Sequence, residues 1–326
     1  MSKVLVTGGS GFLGGHCIMA ALAAGHEVRA TLRSLDREGD VRSTLAAAGA
    51  DMKRGLTFCA AELGHDAGWE EAAAGCDHVL HTASPFPPVQ PADPDEVIVP
   101  AREGTLRVLR AARQAGVRRV VLTSSFAAVG YGSAPAGHVH TEEDWTPTDA
   151  PNPPYILSKV MAERAAGDFV GTSGTPELSV INPTGIFGPV LGPQLSTSVQ
   201  LVKGLLDGAF PSEVPDLWFG VVDVRDVADL HLRAMVDPCA AGERFIAVSG
   251  EPLSLLGVAT LLREHLGERA AKVPSRRAAS PATPNLRRSS SDKARQRLGW
   301  TPRPREEAIL ATAESLFRLR RLETLR

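Results

Sequence analysis

The feature that most constrains the fold is an alternation of short apolar segments with helical segments over the first 250 residues. Val4-Leu5-Val6 leads into a helical pattern from Phe12 to Ala24, and this order repeats along the chain. The further predicted strands are Glu27 to Leu32, Gly55 to Ala60, Asp77 to His81, Arg118 to Thr123, Leu178 to Asn182 and Arg244 to Val248. Strands that alternate with helices pair in parallel through right-handed crossovers, and short apolar strands suit a sheet covered on both faces. We therefore predict an α/β fold with a doubly wound parallel sheet.

The regular alternation ends after Asn182, which suggests a second, smaller unit. Residues 183–220 are rich in Gly, Pro and Ser around one helical stretch, and residues 252–326 are mainly helical. We predict a dinucleotide-binding domain of the Rossmann type over 1–182 with 221–250. Residues 183–220 and 251–326 would form a mixed substrate-binding lobe over the carboxyl edge of the sheet, where open parallel sheets bind ligands.

Composition narrows the class of protein. A net charge of −2 over 326 residues gives no basic excess that would favour nucleic acid. The chain has no long uncharged apolar run, and Met1-Ser2-Lys3 leads directly into a strand, so we expect neither a membrane span nor a signal peptide. The four cysteines are scattered and are expected to be reduced. These patterns predict a cytoplasmic protein that acts on a small molecule.

A glycine-rich turn separates the first predicted strand from the first helix. Glycines at this point let the backbone approach a pyrophosphate, whose charge is stabilised by the helix N-terminus. The residues predicted to bind the cofactor here are Thr7, Gly8, Gly11, Phe12, Leu13 and Gly14. A tight turn alone would explain the glycines, but the strand before and the helix after favour a dinucleotide site.

The end of the second strand indicates which dinucleotide binds. An acid usually stands there when the cofactor lacks a 2′-phosphate, whereas this chain has Leu32-Arg33-Ser34. Arg33 can pair with a 2′-phosphate through charge-assisted hydrogen bonds, and Arg37 is a candidate for assisting it. We therefore predict NADP(H) as the cofactor.

Other residues at strand ends are candidates for lining the cofactor. Glu62 could accept a hydrogen bond from the adenine amine, with Leu63 beside it, although a solvated loop acid would look the same in sequence. Thr82-Ala83-Ser84 follows the fourth strand and is small enough to leave room for the cofactor.

Tyr155 and Lys159 are the strongest candidates for chemistry. The chain has only 2 Tyr, and residues four apart on a helix share a face. A tyrosine hydroxyl ordinarily has a pKa near ~10, and a lysine ammonium beside it stabilises the phenolate and lowers that pKa. Thr123-Ser124-Ser125 ends the fifth strand at the same sheet edge, where a hydroxyl can hydrogen-bond a substrate oxygen.

Taken together, these motifs resemble the extended short-chain dehydrogenase/reductases, and in particular the dihydroflavonol 4-reductase and aldehyde (methylglyoxal-type carbonyl) reductase branch. The resemblance rests on the glycine turn, the Ser125 strand end, Tyr155-x-x-x-Lys159 and the segment Ile181 to Pro189. It implies that Tyr155 is the general acid in carbonyl reduction, that Lys159 lowers its pKa and holds the nicotinamide ribose, and that Ser125 orients the carbonyl oxygen. By the same resemblance, the residues near the nicotinamide are Ser124, Pro183, Thr184, Gly185 and Ile186.

Departures from the family pattern reduce the number of reactions that this chain is expected to catalyse. Plant dihydroflavonol reductases typically carry an Asn five residues beyond the catalytic Ser, whereas this chain has Gly130, so a flavonoid substrate is disfavoured. The dehydratases of the family place an Asp-Glu pair after the catalytic hydroxyl, whereas Phe126-Ala127 follows Ser125. Sugar-nucleotide epimerases usually have an acid after the second strand, where this chain has Arg33.

Apolar and aromatic residues near predicted loops suggest an apolar carbonyl substrate. The predicted substrate-pocket residues are Phe86, Phe126, Tyr131, Phe187, Leu191 and Trp218, although each alone could equally be core packing. His138 and His140 precede the catalytic helix and are expected to be solvated, because no acidic cluster with ligand spacing accompanies them; no metal site is predicted.

The sequence as a whole predicts an NADPH-dependent reductase of aldehydes and ketones, as a monomer or homodimer. One alternative on the same scaffold is a 3β-hydroxysteroid-type or sugar-nucleotide dehydrogenase or epimerase. A second is an NADP-sensing protein without turnover, although such proteins usually lack the Tyr or the Lys.

Overall fold

The computed structural model describes residues 1–52, 55–85, 93–135, 137–279 and 286–323, with side chains placed up to residue 320. The strands are, in chain order, β1 (Lys3–Thr7), β2 (Glu27–Leu32), β3 (Leu56–Ala60), β4 (His78–His81), β5 (Arg119–Thr123), β6 (Val139–His140), β7 (Glu177–Pro183), β8 (Gly185–Phe187), β9 (Glu213–Val214), β10 (Trp218–Phe219), β11 (Val221–Asp223), β12 (Arg244–Ala247), β13 (Leu253–Ser254), β14 (Arg276–Arg277) and β15 (Arg288–Ser289). The α-helices are α1 (Phe12–Ala23), α2 (Glu38–Ala47), α3 (Trp69–Ala73), α4 (Asp95–Gln114), α5 (Pro154–Ser173), α6 (Thr197–Asp207), α7 (Val224–Val236), α8 (Leu255–Leu266), α9 (Asp292–Leu298) and α10 (Arg305–Glu323).

A seven-stranded parallel sheet in the order β12-β7-β5-β4-β1-β2-β3 forms the centre of the molecule. The strand order reverses beside β1, which is the switch point at which doubly wound sheets bind ligands. All seven strands predicted from the sequence belong to this sheet. The predicted fold class is therefore confirmed.

Both faces of the sheet are covered, which explains why its strands are apolar at successive positions. In β5, Val120 and Leu122 join one core cluster with residues of α3, α4 and α5, whereas Val121 joins another with residues of α1 and α7. Successive side chains of a strand point to opposite faces, so a strand with both faces buried needs apolar residues at every position.

Helices α4 and α5 lie side by side on one face of the sheet. Helix α5 begins with Pro154 at its first position and ends at Gly174, whose φ of +66° suits a glycine at a helix end. Because α5 leads into the parallel strand β7, its N-terminus lies at the carboxyl edge of the sheet. No helix among the described residues combines the length and apolar character needed to cross a membrane.

A separate core cluster lies among α6, α8, α10 and the segments around β8 and β11, and it includes Phe187, Val221 and Leu262. Most of its residues come from the predicted substrate lobe. Leu298 and Trp300 instead pack into the core beside α1 and α7. The division into two domains stays a prediction.

Within the described ranges, four two-stranded pairs lie outside the main sheet, and none was predicted from the sequence. They are β6 with β15, β8 with β11, β9 with β14, and β10 with β13. All but β8 with β11 join strands of two residues. Such strands are too short to show a period-two pattern, so only the folded chain reveals them.

Candidate active site

The carboxyl end of β5 and the first turns of α5 bring the three predicted catalytic side chains together. Ser125 follows β5, and its side chain accepts a hydrogen bond of 3.1 Å from the Ala127 N–H, which begins a short 3-10 helix. Tyr155 and Lys159 lie one turn apart near the start of α5. The Tyr155 hydroxyl is hydrogen-bonded to the side chain of Ser125. Two groups that can bind a substrate oxygen are therefore in contact.

Lys159 is buried at the base of this site, with 8% of the residue exposed. Its Nζ donates a hydrogen bond of 3.0 Å to Ser84 Oγ, just beyond β4. Burial lowers the pKa of Lys159 to about 8, while the charge of Glu163 acts in the opposite direction. A cavity of about 10 Å³ beside it is lined by polar groups that include Ser84, Ser124 and Glu163, which is room for about one water. Lys159 therefore keeps its positive charge at neutral pH.

Burial raises the pKa of Tyr155 above its ordinary value, and the hydrogen bond with Ser125 opposes that rise. This differs from the expectation that Lys159 lowers the pKa. The physical reason is that the Lys159 Nζ is hydrogen-bonded to Ser84 and lies 5.9 Å from the centroid of the Tyr155 ring. At neutral pH the Tyr155 hydroxyl carries its proton and can donate it.

A buried carboxylate, Glu163, lies one helical turn beyond Lys159 and is only 3% exposed. Its Oε1 accepts a hydrogen bond of 2.5 Å from Arg244 Nε in β12. Its Oε2 accepts hydrogen bonds from Asn182 Nδ2 at 2.7 Å and from the Ser124 hydroxyl. Because these partners come from three neighbouring strands of the sheet, Glu163 ties the catalytic helix to the strand ends.

Arg244 extends this network into the loop before α5. Its Nη1 donates to the carbonyl oxygens of Glu142 at 2.6 Å and Asp144 at 3.0 Å. Its guanidinium carbon lies 3.8 Å from the centroid of the Trp145 ring. The loop at 142–145 and the catalytic helix are therefore held by the same arginine.

Glu163, Asn182 and Arg244 were not predicted as site residues. A signal for Glu163 does exist in the sequence, because it follows Tyr155 by eight positions and Lys159 by four, on the buried face of α5. A carboxylate on that face needs a buried partner. The partner could not be identified from sequence, because Arg244 is 81 residues away.

The turn between β1 and α1 has the backbone shape that a dinucleotide site requires. Gly8 has a φ of +70°, and a Cβ added at Gly14 would lie 2.2 Å from the Gly8 carbonyl oxygen. Gly11 occupies the N-cap of α1, ahead of Phe12 and Leu13, so the first N–H groups of the helix meet no capping side chain. Those groups can bind a phosphate. These residues fit the pyrophosphate of a dinucleotide.

Hydrogen bonds join this turn to the end of β4. Thr7 Oγ1 accepts a hydrogen bond of 3.1 Å from the Ala83 N–H and shares one of 2.8 Å with His81 Nδ1. Thr82 Oγ1 donates to the Thr7 carbonyl at 2.7 Å. Burial, aided by the charge of Lys159, lowers the pKa of His81 to about 3, so this ring is neutral. The predicted Thr82-Ala83-Ser84 segment thus lies between the glycine turn and Lys159.

Two arginines lie just beyond β2, as predicted for a 2′-phosphate site. Arg33 is exposed, and Arg37 Nη1 donates to Ser10 Oγ in the glycine turn at 3.5 Å. The nearby carboxylate of Asp36 accepts a hydrogen bond of 2.8 Å from the Ser34 hydroxyl. The edge near the turn therefore has cationic groups available for a phosphate.

Glu62 and Leu63 follow β3 on the same side of the sheet. Glu62 is exposed, and its Oε2 lies 3.4 Å from His65 Nδ1. The Leu63 side chain packs against Gly104 of α4, where an added Cβ would lie 2.8 Å from it. Their roles toward an adenine stay predictions.

The segment predicted to face the nicotinamide is held between strands. Strand β7 ends at the buried Pro183, and the Thr184 N–H donates to the Ala247 carbonyl at 3.1 Å. Gly185 and Ile186 then pair with β11. These contacts place the segment beside Ser124, whose N–H donates to Ile181 at 2.8 Å. Its contact with a nicotinamide stays a prediction.

Of the predicted pocket residues, Phe126 and Tyr131 lie beside the catalytic centre. Phe126 is 7% exposed and packs with residues of β12, and its ring centroid is 6.3 Å from that of Tyr131. A Cβ added at Gly130 would lie 2.2 Å from the Phe126 ring. Position 130 therefore cannot accept the Asn of plant dihydroflavonol reductases while Phe126 keeps this position.

Phe187, Leu191 and Trp218 have their contacts in other parts of the molecule. Phe187 is 1% exposed and belongs to the core cluster among α6, α8 and α10. Leu191 packs near Gly15 of α1, and Trp218 Nε1 donates a hydrogen bond of 2.9 Å to Asp216 Oδ1. Phe86 lies outside the described residues. The role of all six in substrate binding stays a prediction.

The expectation of two solvated histidines before α5 is wrong for His140, which is 6% exposed. The pairing of β6 with β15 and the ring of Phe126, 5.6 Å away between centroids, cover it. The premise that no acidic group with ligand spacing accompanies these histidines is also wrong, because Asp144 Oδ1 lies 3.1 Å from His138 Nε2.

Comparison with known proteins identifies the family of the chain. Residues 4–247 match the NAD dependent epimerase/dehydratase family. The chain belongs to this family. A cinnamoyl-CoA reductase of Medicago truncatula is 34% identical over 320 residues, which are 96% of this chain and 95% of that protein. A putative NADPH-dependent methylglyoxal reductase of Candida albicans is 32% identical over 84% of this chain and 85% of its own length.

The fold of this family member also matches a solved relative. The crystal structure of yeast methylglyoxal/isovaleraldehyde reductase complexed with NADPH superposes with a TM-score of 0.84 at 27% identity, over 98% of this chain and 99% of that one. The resemblance to the extended short-chain dehydrogenase/reductases is thereby confirmed.

Proposed function

We propose that this protein is an NADPH-dependent reductase of aldehydes and ketones in which Tyr155 is the general acid. The observation that carries the proposal is the contact between Ser125 and Tyr155 above the buried cation of Lys159, on the sheet edge that also holds the glycine turn. The relatives described above are reductases, and a solved one binds NADPH. The predictions of an NADP-dependent oxidoreductase acting on carbonyl groups, and of NADP(H) as its cofactor, are confirmed by these relatives.

Residues of the chain have distinct roles toward the cofactor. Bound NADPH supplies a hydride to the carbonyl carbon of the substrate. The glycine turn at Gly8–Gly14 would hold the pyrophosphate at the N-terminus of α1, and Arg33 would hold the 2′-phosphate. Lys159 Nζ, which is hydrogen-bonded to Ser84, would hold the ribose that carries the nicotinamide ring.

The Tyr155–Ser125 pair supplies the proton. As negative charge develops on the carbonyl oxygen, the Ser125 hydroxyl hydrogen-bonds that oxygen and the Tyr155 hydroxyl transfers its proton to it, which yields the alcohol. The Lys159 cation, 5.9 Å from the centroid of the Tyr155 ring, would act on the phenolate only as a distant opposite charge, and its main role would be to hold the ribose. The phenolate then regains a proton from solvent.

Glu163 acts on this chemistry through Lys159 and the strand ends. Its negative charge raises the pKa of Lys159 against the effect of burial and so favours the cation. Its hydrogen bonds to Ser124 and Asn182 hold the residues next to Ser125 and Pro183. We assign Glu163 as a positioning residue, since it reaches the substrate only through these neighbours.

The alternatives differ in what they require. A sugar-nucleotide epimerase or steroid dehydrogenase on this scaffold would turn over a charged or polycyclic substrate, and a sensor would bind NADP without turnover. Cytoplasmic location and a monomeric or homodimeric state stay predictions.

The test is NADPH consumption by the purified protein with methylglyoxal, isovaleraldehyde, aromatic aldehydes and simple ketones, each repeated with NADH. We expect turnover with at least one aldehyde and a lower KM for NADPH than for NADH. Tight NADPH binding without turnover of any carbonyl would support the sensor, and turnover of a sugar nucleotide alone would support the epimerase.

A further inference from the structure

Three side chains next to the catalytic centre form a compact cluster of metal-binding groups. One ligand atom each from His138, His140 and Asp144 lies within 4.8 Å of the other two. His138 Nε2 is 3.1 Å from Asp144 Oδ1, and His140 Nδ1 is 3.9 Å from Asp144 Oδ2. Zinc–ligand bonds of about 2.0–2.1 Å in a tetrahedral site separate ligand atoms by roughly 3.3 Å. The His138–Asp144 separation is near this value, and the wider separations in the cluster require the side chains to close by up to about 1.5 Å around an ion.

The buried nitrogen of His140 points to a missing partner. His140 is 6% exposed, and its Nδ1 has no hydrogen-bond partner among the described residues. An unsatisfied buried polar group destabilises the folded chain. A cation between His140 and Asp144 would satisfy this nitrogen.

The surrounding structure holds two of the three groups in place. His140 pairs with Ser289 of β15, and its carbonyl accepts a hydrogen bond of 3.0 Å from the Ser290 N–H. Asp144 Oδ2 accepts one of 2.7 Å from the Thr141 N–H, a contact of the kind that orients metal-bound carboxylates. His138 is half-buried, so the third ligand can rotate and open positions face solvent.

We propose that His138, His140 and Asp144 bind a divalent transition-metal ion, with Zn²⁺ as the ion that this ligand set fits best. Two imidazoles with one carboxylate are typical zinc ligands when an open position remains, whereas Mg²⁺ and Ca²⁺ prefer oxygen ligands. The nearby guanidinium of Arg287 stacks on Tyr131 at 4.3 Å and opposes a cation electrostatically. Affinity must therefore come from the three ligands themselves.

The consequence of binding would be a fixed loop beside the catalytic centre. The backbone of Asp144 is already joined through Arg244 to Glu163, one turn beyond Lys159. The Phe126 ring contacts His140 on one side and follows Ser125 in the chain. An ion in the cluster would hold the loop at residues 138–144 in a single position beside the catalytic centre, without taking part in hydride or proton transfer.

The test is titration of the metal-free, full-length protein with Zn²⁺ by calorimetry, and with Co²⁺ followed by visible absorption. We expect one ion per chain and a Co²⁺ spectrum typical of four or five ligands. Loss of a residue that hydrogen-bonds a metal ligand weakens metal binding about 10–100-fold. His138→Ala removes a ligand itself, so it should weaken Zn²⁺ binding about 100-fold or more.

Asp144→Asn keeps the shape of the side chain and should also weaken Zn²⁺ binding strongly, which separates ligation from misfolding. His65→Ala is the matched control, because His65 is an exposed histidine paired with Glu62 outside the cluster. It should bind Zn²⁺ as the wild type does. Absence of saturable binding in the wild type, or wild-type affinity for Zn²⁺ in both His138→Ala and Asp144→Asn, would overturn the proposal.

Discussion

The floor of the candidate site and the wall around it are built in different ways. The floor, which comprises Ser125, Tyr155, Lys159 and Glu163, stands on the central sheet and on α5. The wall, which comprises residues 130–135, 137–145 and 286–291, is held by the two-residue strand pair β6 with β15. The floor is therefore specified by long regular elements, and the wall by pairings between distant parts of the chain.

This difference separates chemistry from substrate choice. A change in the floor should alter turnover or stability, because Lys159 and Glu163 are buried and all four side chains have hydrogen-bond partners. A change in the wall should alter which carbonyl binds. The following variants test that separation, in order of expected effect.

Tyr155→Phe removes the proton donor and should lower kcat about 10²–10⁴-fold, the range for loss of a general acid. NADPH binding, measured by fluorescence titration, should be retained. Tyr131→Phe is the matched control, since the chain has only these 2 Tyr and Tyr131 lies in the wall. It should change KM for the carbonyl more than kcat, and equal losses of kcat in both variants would break the comparison.

Glu163→Ala leaves Arg244 as an unpaired charge in the interior and should reduce the free energy of unfolding by about 3–5 kcal/mol. Urea denaturation measures this. Asp168→Ala removes an exposed acid from the same helix and should change stability by less than about 0.5 kcal/mol. A Glu163→Ala variant as stable as the wild type would show that this network does not support the floor.

The pH dependence tests the same carboxylate with a milder change. The proposed mechanism requires the cation of Lys159, whose pKa is lowered to about 8, so we expect kcat/KM for reduction to be level below that pH and to fall above it. Glu163→Gln removes the charge that raises this pKa, so the falling limb should move to lower pH. A limb that stays in place would mean that Lys159 does not control it.

Arg33→Ser should raise KM for NADPH about 10–100-fold and leave KM for NADH unchanged, because a hydrogen bond to a charged group contributes about 1.5–3 kcal/mol. Steady-state kinetics with both cofactors measures this. Arg110→Ser, an exposed arginine of α4, should leave both KM values as they are. Equal effects on the two cofactors would remove Arg33 from the 2′-phosphate site.

Gly130→Ala should have the smallest effect, a loss of about 1–3 kcal/mol in unfolding free energy from overpacking. The added Cβ would lie 2.2 Å from the Phe126 ring. Gly171→Ala in α5 has nothing within 4 Å of the new Cβ and should instead stabilise the protein by about 0.5–1 kcal/mol. Thermal melts of the two variants should shift in opposite directions.

The floor could be predicted from sequence because its determinants are local. The spacing of Tyr155 and Lys159 and the glycines of the first turn are patterns within a few residues. Each of the seven sheet strands has an apolar pattern of its own. One expectation about the floor was wrong: burial raises the pKa of Tyr155, whereas the sequence predicted that it would be lowered.

The wall could not be predicted, because its contacts join residues far apart in the chain. His140 pairs with Ser289 through strands of two residues, and Arg244 reaches Glu142 across 102 positions. The burial of His140 and the position of Asp144 next to His138 follow from those contacts. Residue patterns within short windows carry no information on such pairings.

The most direct test of the account uses NADPH deuterated at both C4 hydrogens of the nicotinamide, mixed with the purified protein and an aldehyde that it consumes. The alcohol is then analysed by mass spectrometry and NMR. We expect one deuterium on the carbinol carbon for each NADPH oxidised in the wild type, and labelled alcohol formed about 10²–10⁴-fold more slowly with Tyr155→Phe. Alcohol that forms without deuterium, or labelled alcohol at the wild-type rate from Tyr155→Phe, would contradict it.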